Sequence, residues 1–112
     1  MAALSLDQIR KRSSAAFGQS YRIEVMLAIA ETDSRQVALS EISKRLHIQM
    51  SSVQRPLQSL VEMGLLTPSH DSSTRTKNYI RNESAGWVFA YELSGLKPGK
   101  AMDALKRLRP PE

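Results

Sequence analysis

The stretch that decides the fold is residues 39–66, LSEISKRLHIQMSSVQRPLQSLVEMGLL. It contains a short amphipathic segment, a tight turn at His47-Ile48, and a longer segment with one apolar and one polar face. Gly64 follows the second segment, at a position where a glycine commonly ends a helix. Two helices joined by a short turn in this order predict a helix-turn-helix, in which the first helix holds the second.

The second helix, expected over residues 50–63, separates its side chains into two faces. At about 100° per residue, Leu57 and Leu60 fall within about 40° of Val53, and Val61 falls at about 80°. Apart from Arg55, the opposite face is uncharged in its first two turns. It consists of Ser51, Arg55, Gln58, Ser59 and Glu62, with Ser52 and Gln54 on its flanks. Serine, glutamine and arginine hydrogen-bond to phosphates and base edges. The pattern favours a helix that faces DNA, although each residue taken singly also fits a solvated surface.

Pro56 lies inside this helix and leaves two interpretations open. If the helix begins at Met50, the proline is well inside it, where it removes an internal hydrogen bond and should kink the helix. If Ser52 is the N-cap instead, Pro56 lies near the first turn and the cost is smaller. Either arrangement would tilt the first turns of the helix relative to the rest.

The residues after the helix-turn-helix predict a β-hairpin, or wing. Leu66-Thr67 begins one strand, residues 69–76 have the composition of a loop, and residues 77–81 form the return strand. Arg75 and Lys77 lie where a wing meets the DNA backbone or minor groove, with Arg81 further along the strand. The motif is therefore expected to be a winged helix-turn-helix.

The segments before the motif predict two helices and a strand. A capping-box pattern at Ser5 begins a helix over residues 5–16, which Gly18 ends. Ser20 is expected to cap a helix over residues 21–31 that is apolar almost all round and hence buried. A short strand over residues 37–39 follows, and Ser40 caps the first helix of the helix-turn-helix.

The segment after the wing predicts two more helices. Ser84 is expected to cap the first, and residues 96–99 break it. A narrow apolar stripe marks the last helix and consists of Ala101, Met102, Leu105 and Leu108. We therefore expect three parts: an N-terminal helix within residues 1–17, a winged helix-turn-helix domain at 18–82, and C-terminal helices at 83–112. The terminal helices are the candidates for dimerisation.

Composition limits the kind of function that the chain can have. Its 112 residues carry 16 Lys and Arg against 11 Asp and Glu, for a formal net charge of +5, which suits a polyanionic partner. The absence of cysteine excludes disulfides and thiolate metal sites, and two histidines are too few for a metal site. His47 is interpreted as a turn residue in the left-handed backbone region. We expect no metal, no cofactor, no membrane span and no export signal, and hence a cytoplasmic location.

The chain resembles the winged helix-turn-helix regulators of bacteria, nearest to the ArsR-like and MarR-like groups. The resemblance covers about residues 17–82 and is carried by AFGQSYRIEVMLAIAE, LSEISKRLHIQMSSVQRPLQSLVEMGLL and TRTKNYIR. It implies that residues 49–59 form the recognition helix and that the terminal helices form a dimer interface. Metal-sensing ArsR-like proteins bind through Cys or His clusters, which this chain lacks. Pro56 also departs from the pattern, at a place usually given to a good helix former.

These observations lead to one function and one alternative. The function is a sequence-specific double-stranded DNA-binding transcription regulator, a homodimeric repressor or autoregulator. The alternative is a winged-helix protein-interaction module, which would expose apolar residues on the same face. An enzyme is not expected, because the chain has neither a thiol nucleophile nor a glycine-rich phosphate loop. The expected DNA-binding residues are Gln49, Ser51, Ser52, Gln54, Arg55, Gln58, Ser59, Arg75 and Lys77.

A small-molecule effector is compatible with the sequence but is not indicated by it. Aromatic and methionine side chains on the C-terminal helices offer a lining for a ligand pocket between subunits. Such residues at helical spacing more often form a core or a dimer interface. The residues concerned are Trp87, Phe89, Tyr91 and Met102.

Overall fold

Six helices and three short strands form the part of the chain that the structure, a computed structural model, describes: residues 4–69 and 77–109. In chain order they are α1 (Leu6–Phe17), α2 (Arg22–Ala30), β1 (Gln36–Ala38), α3 (Leu39–Leu46), α4 (Met50–Glu62), β2 (Leu66–Ser69), β3 (Asn78–Arg81), α5 (Gly86–Ser94) and α6 (Ala101–Leu108). The predicted fold class, a mainly helical winged helix-turn-helix with additional terminal helices, is confirmed.

Helix α2 lies at the centre of the molecule. Its residues from Arg22 to Ile29 are all buried, and α1, α3, α4, α5 and α6 pack around it. A helix that is apolar almost all round can be stable only when other elements cover it on every side. The single hydrophobic core therefore includes the terminal helices as well as the helix-turn-helix.

The three strands form one antiparallel sheet in the order β1-β3-β2. Val37 pairs with Tyr79 on one side of β3, and Pro68 pairs with Tyr79 on the other. Strand β2 is an edge strand, which is the place in a sheet where a proline is tolerated. The strand expected over residues 37–39 begins and ends one residue earlier, because Leu39 already belongs to α3.

The helix caps agree with the sequence in part. The capping box at Ser5 is present, and Gly18 ends α1 in the left-handed conformation. The predicted cap at Ser20 is wrong: Tyr21 precedes α2, and the Ser20 hydroxyl lies 3.1 Å from that of Ser14. The predicted cap at Ser40 is also wrong, because β1 leads directly into α3 without room for a separate cap.

Helix α6 takes its cap from a distant residue, Glu31 at the end of α2. The Glu31 carboxylate accepts hydrogen bonds from the backbone N–H groups of Ala101 and Met102, both at 3.0 Å, and from the Tyr91 hydroxyl at 2.9 Å. Burial opposes the charge, but these hydrogen bonds outweigh it and lower the pKa of Glu31. Burial and the bond to Glu31 raise the pKa of Tyr91 to about 12. The contact fixes α6 against the C-terminal end of α2.

A buried ion pair joins α1 to α2. The Arg10 guanidinium donates two hydrogen bonds to the Glu24 carboxylate, from Nε at 2.9 Å and from Nη2 at 3.2 Å. Arg10 also lies over the Tyr21 ring, 4.8 Å from its centroid. Glu24 is 2% exposed, and this burial raises its pKa even though Arg10 acts in the opposite direction. Because water cannot reach the Glu24 carboxylate, its charge is stabilised by Arg10, and this ion pair holds α1 against α2.

Candidate DNA-binding surface

Helix α4 is held in place by its apolar face. Val53, Leu57 and Leu60 are fully buried, as the helical periodicity predicts. Ile42 and Leu46 of α3 are buried in the same core. His47 adopts the left-handed conformation expected of it, with φ 56° and ψ 42°, and so makes the turn between α3 and α4. The helix-turn-helix thus has the geometry that the opening stretch predicts.

Pro56 lies inside α4, and the helix is continuous around it. Gln49 precedes the first residue, Met50, so the alternative in which Ser52 caps the helix is wrong. Pro56 has no N–H group to donate to the Ser52 carbonyl, but its ring is buried with the core face. The helix ends in a Schellman motif, in which Gly64 N–H donates to the Val61 carbonyl and Leu65 N–H to the Leu60 carbonyl.

The opposite face of α4 presents the predicted polar side chains to solvent. Ser52 is half-buried, and the exposed residues are Gln49, Ser51, Gln54, Arg55 and Gln58. Within the described part of the chain, the Arg55 side chain forms no hydrogen bond or ion pair with another residue. Its guanidinium therefore keeps its donors for an external acceptor. These side chains lie on one continuous face over the first two and a half turns.

Ser59 differs from the other predicted contact residues. It is half-buried, and its hydroxyl accepts a hydrogen bond from the Gln19 amide at 3.0 Å. The same Gln19 accepts one from the buried Arg22, whose guanidinium lies over the Phe17 ring. Ser59 thus links α4 to the connection between α1 and α2. Its predicted contact with DNA stays a prediction, and the hydroxyl already has a protein partner.

A groove of about 520 Å³ separates α4 from the wing. Its lining consists of Gln54, Gln58, Val61, Pro68, Ser69, Lys77, Asn78 and Tyr79. It therefore brings the predicted residues Gln54, Gln58 and Lys77 together, with Lys77 exposed at the start of β3. Arg75, the other predicted wing residue, lies outside the described residues. A groove with a polar helix on one side and Lys77 on the other suits the phosphate backbone of DNA.

Arg81, at the end of β3, has a structural role. Its Nη1 donates to the carbonyl oxygens of Ile29 at 2.7 Å, Thr32 at 3.1 Å and Ala30 at 3.3 Å. A cation at the C-terminal end of a helix satisfies its unpaired carbonyls and complements its dipole. Arg81 thus joins the wing to α2, and its side chain is directed away from a DNA-facing position.

Two residues of this surface are not evident from the sequence. Met50 begins α4 and is 49% exposed beside Ser51, where an apolar side chain can contact a thymine methyl group. Tyr79 is half-buried in the groove, where burial raises its pKa and keeps the hydroxyl protonated. At about 100° per residue, Met50 falls about 60° from Val53 and so lies on the apolar stripe, which means that the periodicity of α4 carried no signal of its exposure. The position of Tyr79 depends on strand pairing and had none.

The residues considered for a ligand pocket separate into two groups. Trp87, Tyr91 and Met102 line a cleft of about 810 Å³ between α2, α5 and α6, together with Glu31 and Arg45. Phe89 lies elsewhere, edge-on to Phe17 with ring centroids 6.1 Å apart. The described part of the chain contains no group of three His, Cys, Asp or Glu placed to hold a metal ion. In the same residues, no helix has the length and apolar character needed to cross a membrane.

Comparison with known families supports this description of the surface. Residues 23–70, less than half of the chain, match the model of the IclR helix-turn-helix domain. The match extends from α2 to the end of β2 and so contains α3 and α4 complete. No curated protein and no solved structure matches the chain with significant similarity.

The family match supports the coarser part of the resemblance drawn from the sequence. It agrees with a bacterial winged helix-turn-helix regulator, but it does not support the ArsR-like or MarR-like groups. The matched domain is a DNA-binding and regulatory one and not a catalytic one. Residues 23–70 are therefore similar to the IclR helix-turn-helix domain, and this similarity indicates DNA binding and transcription regulation.

Proposed function

We propose that this protein is a homodimeric regulator that binds double-stranded DNA in a sequence-specific way and acts as a repressor or autoregulator in the cytoplasm. The observation that carries the proposal is the outer face of α4, which is polar, exposed and separated from the wing by a groove. We propose neither a catalytic role nor a resident cofactor. A small-molecule effector is not part of the proposal.

The chemistry of the side chains suggests a division of contacts. Ser51, Gln54 and Arg55 lie in the first two turns of α4, which is the part of a recognition helix that contacts base edges. Arginine forms bidentate contacts to guanine, and glutamine forms them to adenine. Ser52 and Gln49 lie beside them, at positions suited to phosphates. Gln58 and Lys77 line the groove, and with Arg75 they would hold the backbone.

Dimerisation is proposed through α1 and α5, following the division of the chain into residues 1–17, 18–82 and 83–112. These two helices pack side by side, and Phe17 contacts Phe89 between them. Val88 is 58% exposed and Phe89 is 44% exposed, so apolar area is left uncovered on this face. A two-fold dimer would place two α4 helices in successive major grooves, about 34–36 Å apart.

Light scattering after size exclusion is expected to give the mass of two chains at micromolar concentration. Burial of Val88 and Phe89 against a second copy is the physical reason, because apolar area gains free energy when it leaves water. Val88→Glu should shift the mass toward one chain, whereas Glu92→Gln on the same helix serves as the control. A single-chain mass for the unmodified protein would contradict the dimer.

Arg55→Ala is expected to weaken binding to a selected operator by about 1–3 kcal/mol, the usual value of an arginine contact to guanine. It should also relax the sequence preference at one base pair. Lys77→Ala should weaken binding to all sequences by similar factors, because a phosphate contact carries no sequence information. Fluorescence anisotropy with the operator and with a scrambled duplex measures both effects.

Glu62→Gln is the matched control, since Glu62 lies on the same helix but beyond the proposed contacts. If Arg55→Ala leaves the operator affinity unchanged in a folded dimer, the assignment of α4 as the reading helix is wrong.

A further inference from the structure

The charge of this protein is concentrated away from the helix proposed to read bases. Residues 97–109 contain five basic residues and one acidic residue, hence a net charge of +4 against +5 for the whole chain. Helix α4 contains one basic residue, Arg55, and one acidic residue, Glu62, and is therefore neutral. DNA-binding affinity depends strongly on cations that neutralise phosphates. The residues 97–109 are the largest source of such cations in the chain.

Contacts at its two ends fix the direction of α6. Its first turn is bonded to Glu31 at the C-terminal end of α2. Beyond its last turn, Arg109 Nη1 donates to the Arg45 carbonyl at 3.2 Å. Arg45 belongs to the last turn of α3, two residues before the His47 turn. The C-terminal end of α6 therefore lies beside the turn that leads into α4.

Three cations at this end face solvent. Ala101 and Leu105 bury one side of α6, which leaves Lys106 and Arg107 exposed on the opposite side. Lys44, in the last turn of α3, is exposed as well. Within residues 4–69 and 77–109, the side chains of these three residues form no hydrogen bond or ion pair. We call Lys44, Lys106 and Arg107 the α6 basic surface.

Two neighbouring cations, Arg45 and Arg109, differ from this surface because their side chains form hydrogen bonds within the protein. Arg45 donates to the Ala28 carbonyl at 3.2 Å, and Arg109 donates to the Arg45 carbonyl. Arg109 also acts electrostatically on the buried Glu24, whose pKa it lowers against the larger effect of burial. These two arginines position α6 and α3. In the described residues the side chains of the α6 basic surface lack such partners, so their charges stay available to an external polyanion.

We propose that the α6 basic surface binds the phosphate backbone that flanks the groove entered by α4. This inference rests on the proposed DNA-binding function. The two helices then contribute differently to DNA binding. The neutral α4 distinguishes sequences, and α6 supplies affinity that is independent of sequence. The position of α6 beside the turn makes both contacts possible on one stretch of duplex.

The test is the double variant Lys106→Gln/Arg107→Gln, compared with the unmodified protein on a random-sequence duplex across a range of salt concentrations. Each lost phosphate contact lowers the slope of log affinity against log salt by about 0.9, so a decrease of about 1.8 per chain is expected. Affinity at 0.1 M salt should fall roughly 10-fold or more. The conservative double variant Lys106→Arg/Arg107→Lys should keep the original slope.

Lys97→Gln/Lys100→Gln is the matched control, because it removes the same charge from exposed positions that precede α6, at the end of the helix away from the His47 turn. Trp87 fluorescence and thermal unfolding verify that each variant is folded. An unchanged slope in the α6 variant, or an equal loss in the Lys97→Gln/Lys100→Gln control, would overturn the inference while the proposed function stands. Absence of binding by the unmodified protein, even at low salt, would overturn both.

Discussion

Replacing Arg10 with alanine is expected to destabilise the protein by about 3 kcal/mol at pH 7, which is the lower end of the range for breaking a buried ion pair. The variant leaves the Glu24 carboxylate buried without its two hydrogen bonds from the guanidinium. Arg10 itself is partly exposed, with 28% of its side chain accessible. Water can therefore reach the vacated space in part, which is why we expect the lower end.

The destabilisation caused by Arg10→Ala should depend on pH, because a protonated Glu24 carboxyl no longer buries a charge. A carboxyl whose folded-state pKa is raised contributes stability below its unfolded pKa, near 4.5, and loses that contribution as pH rises through the folded value. Loss of Arg10 raises the folded pKa of Glu24 further. The destabilisation should thus be largest at neutral pH and smaller near pH 4.5, as measured by urea unfolding at both values.

The double variant Arg10→Ala/Glu24→Gln tests the cause. Without a charge to bury, it should recover a substantial part of the stability lost in Arg10→Ala, and its remaining loss should not vary between the two pH values. Lys11→Ala, also on α1 but exposed, is the control and should have a small effect. A cost for Arg10→Ala that is negligible or independent of pH would show that the ion pair does not hold α1 in place.

The fold could be predicted from the sequence wherever periodicity carried the information. The apolar stripe of α4 at Val53, Leu57 and Leu60 specified both the helix and its buried face. The caps at Ser20 and Ser40 could not be predicted, because neighbouring elements decide where a helix begins. A serine has the right chemistry for a cap at many positions, and β1 leaves no room for one at Ser40.

The part of the candidate site that lies on α4 could be predicted from the sequence, but the contacts between different helices and strands could not. Spacing on α4 placed Gln54, Arg55 and Gln58 on the exposed face. It could not show that Gln19 engages Ser59, since the two are 40 residues apart. It likewise could not show that Arg81 contacts the end of α2. Contacts distant in sequence depend on tertiary packing, which local patterns do not encode.

The role inferred for α6 illustrates the same limit. The sequence shows that residues 97–109 are basic. Only the contacts of Glu31 and Arg109 show that the last turn of α6 reaches the helix-turn-helix. Charge can be counted from a sequence, whereas its position relative to a binding surface requires the fold.

The central claim, that this winged helix-turn-helix binds DNA, predicts a large dependence of affinity on salt. A dimer that contacts about 6–10 phosphates through α4, the wing and the α6 basic surface releases a similar number of condensed counterions. Affinity should then fall by about 10³- to 10⁵-fold between 50 and 200 mM salt. A protein-interaction module with the same fold has no reason to show this dependence on a DNA duplex.

The most direct test is fluorescence anisotropy of the unmodified protein with a short random-sequence duplex over that range of salt. We expect binding at 50 mM salt and a steep linear decrease of log affinity with log salt. If a protein that thermal unfolding shows to be folded does not bind the duplex at the lowest salt, the proposal that this winged helix-turn-helix binds DNA is wrong.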